Sequence, residues 1–179
     1  KDVSYHYPKA SENVLNNISF TARPGETTAI IGSTGSGKST LINLIPRFYD
    51  VTDGAIEIDG IDIRKMTQAD LRANIGYVPQ KGMLFSGNIV SNIAYGKDDA
   101  STDEIMKALE VAQAKNFVSE MEDGIETAIA QGGGNVSGGQ KQRLSIARAL
   151  VKKAPIYIFD DSFSALDFKT DAALRSALD

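Results

Sequence analysis

The sequence is notable first for what it lacks. Its 179 residues include no cysteine, which excludes disulfide bridges and thiolate metal sites. No apolar run approaches the roughly 18 residues that a membrane-spanning helix needs. Lysine and arginine form no block and the net charge is −4, so electrostatic capture of nucleic acid is not favoured. The lone histidine, His6, has no second type of metal ligand nearby, which argues against a histidine metal site.

What is present is typical of a soluble globular domain. Hydrophobic residues make up 42% and charged residues 23% of the chain, and this length supports a real core. The chain opens at Lys1 without methionine and stops after a stretch predicted as helix. We therefore expect an excerpt of a longer protein, forming a single domain over 1–179 that is truncated at its C-terminus. We further expect the excerpt to be less stable than the full domain, because a sheet edge would lie unpaired.

A glycine-rich segment dominates the first half of the chain. It follows an apolar run, 27–31, predicted as a buried strand, and precedes a predicted helix that starts at Leu41. This context favours a phosphate-binding P-loop, because glycines allow a tight turn whose N–H groups face phosphate oxygens. Lys38 would reach the β- and γ-phosphates and Ser39 would bind Mg²⁺. The loop consists of Gly32, Ser33, Thr34, Gly35, Ser36, Gly37, Lys38, Ser39 and Thr40.

Periodicity and turn residues place the remaining elements. Alternating or continuous apolar runs predict strands, 3.6-residue periodicity predicts helices, and Ser101 with Glu104 forms a capping box. The result is an α/β fold: a P-loop core with a mixed or parallel sheet, an N-terminal antiparallel β layer and an inserted α-helical subdomain. The predicted strands are 3–7, 14–22, 54–60, 75–78 and 156–159, and the helical segments are 68–74, 88–121, 138–150 and 171–178. The core covers about 1–84 and 151–179, and the helical subdomain about 85–150.

Two further motifs lie near the C-terminus. An apolar strand over 156–159 delivers Asp160 at its carboxyl end, where this carboxylate would hold Mg²⁺ beside the P-loop. Upstream, Ser137, Gly138, Gly139 and Gln140 open a helix, with Ser137 placed as its N-cap. Each motif alone has a plain structural explanation, an acidic turn or a capped helix. Together with the P-loop they indicate a second phosphate-binding segment in one chain.

This combination resembles the nucleotide-binding domain of an ABC transporter of the exporter type, from Tyr7 to Asp167. The SGGQ segment is similar to the family's signature motif. The resemblance implies two such domains arranged head to tail, with each ATP and Mg²⁺ between one P-loop and the partner's signature. It also implies attachment to transmembrane domains of the same parent chain, at the cytoplasmic face of the cell membrane, with no nucleic-acid partner.

The resemblance also assigns roles to single residues. Tyr7 matches the aromatic that stacks on adenine, with Tyr5 as a rival, and Gln80 matches the glutamine that approaches Mg²⁺ and the attacking water. The loop of Gln80 would also contact the transmembrane part. The D-loop that crosses the dimer interface would be Ser164, Ala165, Leu166 and Asp167. The implied catalytic residues are Lys38, Gln80 and Asp161, and the implied Mg²⁺ contacts are Ser39, Gln80 and Asp160.

Three departures from the family pattern matter. Asp161 stands where the family has a glutamate that polarises water, and its carboxylate is withdrawn by roughly one ångström. A misplacement on that scale can cost on the order of 10²-fold in rate. Val136 replaces the usual leucine before an intact signature, and Gln131 stands where exporters commonly have glutamate. The switch histidine would lie beyond the end of this sequence.

These departures predict one member of a heterodimeric exporter. Its own P-loop would form a degenerate site that binds ATP but hydrolyses it slowly, while its signature completes the partner's fast site. The alternative is a nucleotide-gated dimerisation module in which ATP acts mainly as structural glue. A soluble relative acting on DNA or ribosomes fits less well, because no coiled-coil insertion or basic face is present. A P-loop kinase would not explain the SGGQ segment, and the exported substrate stays open.

Overall fold

The first of two units contains short strands and two helices. The computed structural model describes residues 1–178, and the chain divides into Lys1–Asn74 and a second unit that begins at Ile75. In the first unit, Val3 pairs with Ile18 and Tyr5 with Leu15 in an antiparallel sheet, as predicted for the N-terminal layer. Its core consists of Val3, Tyr5, Leu15, Leu41 and Leu44. Its elements are β1 (Val3–Tyr5), β2 (Leu15–Ile18), α1 (Lys38–Leu44), β3 (Glu57–Ile58), β4 (Ile61–Asp62) and α2 (Gln68–Ala73).

The second unit packs helices around a short parallel pair of strands. Its elements are β5 (Ile75–Val78), β6 (Gly87–Asn88), α3 (Ile89–Ala94), α4 (Thr102–Val111), α5 (Lys115–Ser119), β7 (Ala128–Ile129), α6 (Gly138–Leu150), β8 (Ile156–Phe159) and α7 (Phe168–Leu178). β5 and β8 run parallel with Val78 opposite Phe159, so both strands end at the same edge. The mixed α/β class with a helical part is confirmed. Within residues 1–178, no helix is long and apolar enough to cross a bilayer.

The helix starts follow from their capping residues. Ser101 and Glu104 form the predicted capping box at α4. At α6, the Ser137 hydroxyl accepts from the Gln140 N–H at 3.2 Å, and the Gln140 carboxamide oxygen accepts from the Ser137 N–H at 2.9 Å. Both reciprocal pairs satisfy N–H groups that a helix start leaves without partners. The interval 138–150 predicted for this helix matches its observed bounds.

One predicted strand is absent. Residues 27–31 form no strand, and the side chain of Ile31 is 90% exposed. A strand exists only by hydrogen-bonding to a neighbour, and among residues 1–178 none pairs with this segment. The buried strand predicted over 27–31 from its apolar composition is therefore wrong.

Glu104 joins α4 to two lysines and makes the second unit sensitive to acid. Its carboxylate lies 2.7 Å from Lys97 Nζ and 2.8 Å from Lys153 Nζ. Hydrogen bonds from Lys153, then Lys97, and then the Ser101 N–H lower the pKa of Glu104 from 4.5 to about 2. The stabilisation is present above the unfolded-state pKa of 4.5 and is lost as the pH falls through about 2.

We expect Glu104→Gln to be less stable than the wild type at pH 7 and to lose less stability on acidification. The glutamine keeps the size of the side chain but has no charge to lose between pH 5 and the folded-state pKa of about 2. Urea midpoints at pH 7 and near pH 3 measure the difference. Glu122→Gln is the matched control, an exposed carboxylate without an ion pair in the described part of the chain. Parallel pH curves for Glu104→Gln and wild type would refute the expectation.

Candidate functional site

The glycine-rich loop forms a tight turn immediately before α1. Gly35 and Gly37 adopt φ values of 83° and 89°, in the left-handed region that favours glycine. A Cβ on Gly37 would lie 2.9 Å from a methyl group of Leu15, and one on Gly32 would lie 2.6 Å from the Ser36 hydroxyl. A side chain at Gly37 would be strained by the positive φ and would crowd Leu15, and one at Gly32 would displace the Ser36 hydroxyl. The tight turn therefore favours glycine, as expected for a phosphate-binding loop.

Lys38 curls back over this loop. Its ammonium donates to the carbonyl oxygens of Gly32 at 2.7 Å and Ser33 at 2.8 Å. These bonds hold a cation directly above the loop, and phosphate oxygens would be stronger acceptors because they are charged. Next to the loop lies a cleft of about 480 Å³. Its walls include Leu15, Ile18, Phe20, the segment 28–32 and the segment 36–38.

Tyr5 and Tyr7, the two candidates for stacking on adenine, differ in burial. Tyr5 is only 3% exposed, whereas Tyr7 is 36% exposed. The Tyr7 hydroxyl lies 2.9 Å from the Thr40 hydroxyl, in the first turn of α1. The Tyr7 ring meets those of Tyr5 and Tyr49 edge-on, with centroids 5.1 and 5.5 Å away. Tyr7 is therefore the one of the two rivals with ring surface free to stack on a planar ligand.

Asp160 and Asp161 follow β8, as expected from the sequence. The Asp160 N–H donates to the Val78 carbonyl at 2.9 Å, which continues the pairing of β5 and β8 by one residue. Burial, and then the charge of Asp160, raise the pKa of Tyr77 to about 12. Asp161 has a left-handed φ of 46° and is exposed. The turn thus gives the two carboxylates different surroundings.

Gln80 and Asp161 are brought together across the ends of β5 and β8. The Gln80 amide donates to the Asp161 carboxylate at 3.3 Å. Residues 1–178 contain no group of three or more histidine, cysteine, aspartate or glutamate side chains suited to hold a metal. Mg²⁺ takes one or two protein ligands and completes its shell with phosphate oxygens and water. The hydroxyl of Ser39 and the carboxylate of Asp160 are oxygen donors of the type that Mg²⁺ takes.

The signature segment presents open backbone at the start of α6. Ser137 and Gly138 are exposed, and no heavy atom would lie within 4 Å of a Cβ on Gly138. α6 has 13 residues, and its first N–H groups have no partner within the helix. The segment 164–167 lies against it, since a Cβ on Gly139 would be 3.4 Å from the Ala165 carbonyl. The arrangement can accept an anion at the N-terminus of α6.

Asp167, the last residue of the segment 164–167, stabilises the local backbone. Its carboxylate accepts from the Thr170 hydroxyl at 2.7 Å and from the Thr170 N–H at 3.0 Å. These bonds lower the pKa of Asp167. Asp167 therefore fixes the start of α7, and with it the end of the segment 164–167.

Sequence reasoning missed the polar residues that hold the Gln80 loop. Ser162 is 1% exposed, and its hydroxyl donates to the Val78 carbonyl at 2.9 Å. Gln142 is buried within α6 on the same face as Ser145, Ile146 and Ala149. A glutamine at these helical spacings from apolar and small residues is the signal that could have revealed it, because a buried amide requires partners.

Known proteins resemble this chain over nearly its whole length. The ABC transporter family model matches residues 15–164. An uncharacterised ABC transporter ATP-binding protein of Mycobacterium tuberculosis is 54% identical over 98% of this chain and 30% of its own length. An ATP-dependent lipid A-core flippase of Desulfotalea psychrophila is 47% identical over 99% of this chain and 31% of its own length.

A solved structure shows the same fold. The ATP-bound structure of a bacterial Atm1-family ABC exporter superposes with a TM-score of 0.94 at 42% identity. The match covers 99% of this chain and 31% of that one. The chain therefore spans less than a third of the length of the relatives that it matches.

Proposed function

Since this chain belongs to the ABC transporter family, we propose that it binds and slowly hydrolyses ATP within an exporter, closing on a second nucleotide-binding domain to drive export. The observation that carries the proposal is the contrast between its two phosphate-binding segments. The signature is intact and open, whereas the carboxylate after Asp160 belongs to the short side chain of Asp161. One chain thus combines a complete donor surface with a weakened site of its own.

In the site of this chain, the loop residues bind and orient the nucleotide. Lys38 would exchange its carbonyl partners for the β- and γ-phosphates, and Tyr7 would stack on adenine. Ser39 and Asp160 would hold Mg²⁺, which supplies charge neutralisation at the phosphates. Gln80 would approach the metal and orient water, with its amide held by Asp161. The residue types present fit this ligand set.

The proposed partner is a second nucleotide-binding domain in a heterodimer. Its P-loop would face Ser137, Gly138, Gly139 and Gln140 of this chain, and its own signature would be altered. It would have a glutamate after its Mg²⁺-binding aspartate and so provide the fast site. A partner with an unaltered signature and no such glutamate would contradict this assignment. The second candidate function, a nucleotide-gated dimerisation module, is favoured by the same Asp161.

An exposed aromatic patch supports attachment to transmembrane domains of the same parent chain. Tyr95 is 69% and Phe85 43% exposed, and their ring centroids lie 4.8 Å apart. The half-buried guanidinium of Arg148 lies 5.0 Å from the centre of the Phe85 ring and donates to the Met83 carbonyl at 2.8 Å. Partial burial lowers the pKa of Arg148. A rigid apolar surface of this kind suits a protein interface. The domain would then work at the cytoplasmic face of the membrane.

We expect Lys38→Ala to weaken ATP binding at the site of this chain by about tenfold or more, since charged hydrogen bonds contribute about 1.5–3 kcal/mol. The measurement is the rise in melting temperature of the intact transporter as ATP is titrated, under conditions in which ATP is not hydrolysed. Lys65→Ala removes an equal charge from an exposed position of the first unit and should leave the titration unchanged. Equal ATP titrations for Lys38→Ala and wild type would refute ATP binding through this loop.

A further inference from the structure

Gln142 is a buried amide in the helix that carries the signature. It is 2% exposed, although a primary amide is costly to bury unless its groups are paired. Its carbonyl oxygen accepts from the Gly82 N–H at 2.7 Å, and its NH₂ donates to the Pro79 carbonyl at 3.2 Å. The two partners lie on either side of Gln80 and Lys81. One side chain therefore spans the base of the loop that carries Gln80.

The approach of the loop to α6 is as close as the backbone allows. A Cβ on Gly82 would lie 2.9 Å from the Lys141 carbonyl and 3.0 Å from the Gln142 amide oxygen. Real Cβ atoms rarely come this near to other heavy atoms, so an alanine here would push the loop from the helix. Position 82 therefore requires glycine, because α6 occupies the space that a side chain would need. The loop thus follows the position of this helix.

The remaining anchors hold the same loop from the strand side. The Ser162 hydroxyl donates to the Val78 carbonyl at 2.9 Å, immediately before Pro79. Gln80 itself is exposed and contacts Asp161 at 3.3 Å. An exposed side chain keeps a defined position only if its backbone is fixed. The hydrogen bonds of Gln142 join α6 to Pro79 and Gly82, and Arg148, further along the same helix, donates to the next carbonyl, that of Met83.

We infer that Gln142 is a positioning residue that ties Gln80 to α6, so that engagement of the signature by a partner's ATP is transmitted to the Gln80–Asp161 pair. This inference rests on the proposed function. Its physical basis is that α6 is one rigid helix, with the signature at its N-terminus and Gln142 one turn further along. A shift of α6 must move Pro79 and Gly82 with it, or break the two hydrogen bonds of a buried amide.

The first test measures the loop itself in the intact transporter, by hydrogen exchange. Gln142→Met keeps the side-chain length but removes both hydrogen bonds of the amide, to the Gly82 N–H and the Pro79 carbonyl. The Gly82 amide should therefore exchange about tenfold faster. Asn92→Leu is the matched control. Asn92 is also a 2% exposed amide, and its oxygen accepts from the Phe85 N–H at 2.9 Å and from Arg148 at 2.8 Å, while its NH₂ donates to the Phe85 and Asn88 carbonyls. It should accelerate exchange at Phe85 and not at Gly82. Unchanged exchange at Gly82 in Gln142→Met would overturn the inference.

The second test asks whether Gln142 acts through Gln80. In an Asp161→Glu background of the intact transporter, where turnover at the Lys38 site is fast enough to follow, Gln142→Met should lower the single-turnover rate about tenfold with ATP affinity unchanged. In a Gln80→Ala variant, Gln142→Met should lower the rate little further, because both substitutions remove the positioning of the Gln80 amide. Multiplying effects would show that Gln142 acts elsewhere and would sink the inference.

The two tests separate the inference from the proposed function. If Asp161→Glu gives no turnover, the degenerate-site proposal fails, while exchange at Gly82 still decides whether Gln142 anchors the loop. If Gln142→Met does not fold, Gly82→Ala replaces it, since it displaces the loop and leaves α6 unaltered. It should produce the same loss of rate without a change in ATP affinity. A wild-type rate for Gly82→Ala would contradict the inference.

Discussion

Asp161→Glu should raise single-turnover ATP hydrolysis at the Lys38 site by on the order of 10²-fold, measured in the intact transporter with its proposed partner. The extra methylene moves the carboxylate forward by roughly one ångström, towards the place where water would be polarised. A well-positioned base contributes about 10²–10⁴-fold. We therefore expect the substitution to restore much of what the shorter side chain loses.

The local backbone limits how freely this change is tolerated. Asp161 has a φ of 46°, a region in which aspartate occurs more readily than glutamate. We expect Asp161→Glu to lower stability by about 1 kcal/mol while it raises the rate. A gain in rate despite a loss in melting temperature separates a catalytic effect from a general improvement of the fold.

Single-turnover hydrolysis at the Lys38 site, with the partner's own P-loop inactivated, is the decisive measurement. Asp161→Asn serves as the control, because it removes the charge without changing the length of the side chain. If Asp161 is a poor base, Asp161→Asn should lower the rate by less than tenfold. A wild-type rate that is already fast, and that Asp161→Glu does not change, would mean that Asp161 is an adequate base and would remove the case for a degenerate site.

Features encoded by a few neighbouring residues could be predicted from the sequence. The caps at Ser101 and Ser137 form between residues three apart, so the starts of α4 and α6 are correct. The place of Asp160 after β8 follows from an apolar run that ends in an acid. The left-handed glycines of the phosphate-binding loop follow from its spacing, because the turn requires residues without a Cβ.

Features that depend on distant residues could not be predicted in this way. The segment 27–31 has the composition of a strand but no neighbour within residues 1–178 to pair with it. Gln142 and Gly82 meet across 60 positions, and no local pattern encodes that contact. Tyr5 is buried and Tyr7 is partly exposed, although both lie on the same side of the alternating pattern in the segment 3–7. In each case, tertiary packing decides what local propensity leaves open.

Gly138→Asp should abolish most hydrolysis at the partner's site while this domain stays folded. No heavy atom would lie within 4 Å of a Cβ at this position, and an acid suits the first turn of a helix. The new carboxylate, however, would face the phosphates that the signature is proposed to take. Two like charges about 4 Å apart repel by about 4 kcal/mol at an intermediate dielectric, which corresponds to roughly 10³-fold.

The partner's site is followed by steady-state ATPase activity of the assembled transporter, and the fold by the melting temperature. Gly138→Ala adds the Cβ without the charge and should cost tenfold at most. Gly134→Asp places the same charge on an exposed glycine upstream, also with open space around it, and should leave the activity unchanged. If Gly138→Asp folded and hydrolysed ATP at the wild-type rate, the N-terminus of α6 would not receive the partner's nucleotide. The head-to-tail arrangement would then have no support from this segment.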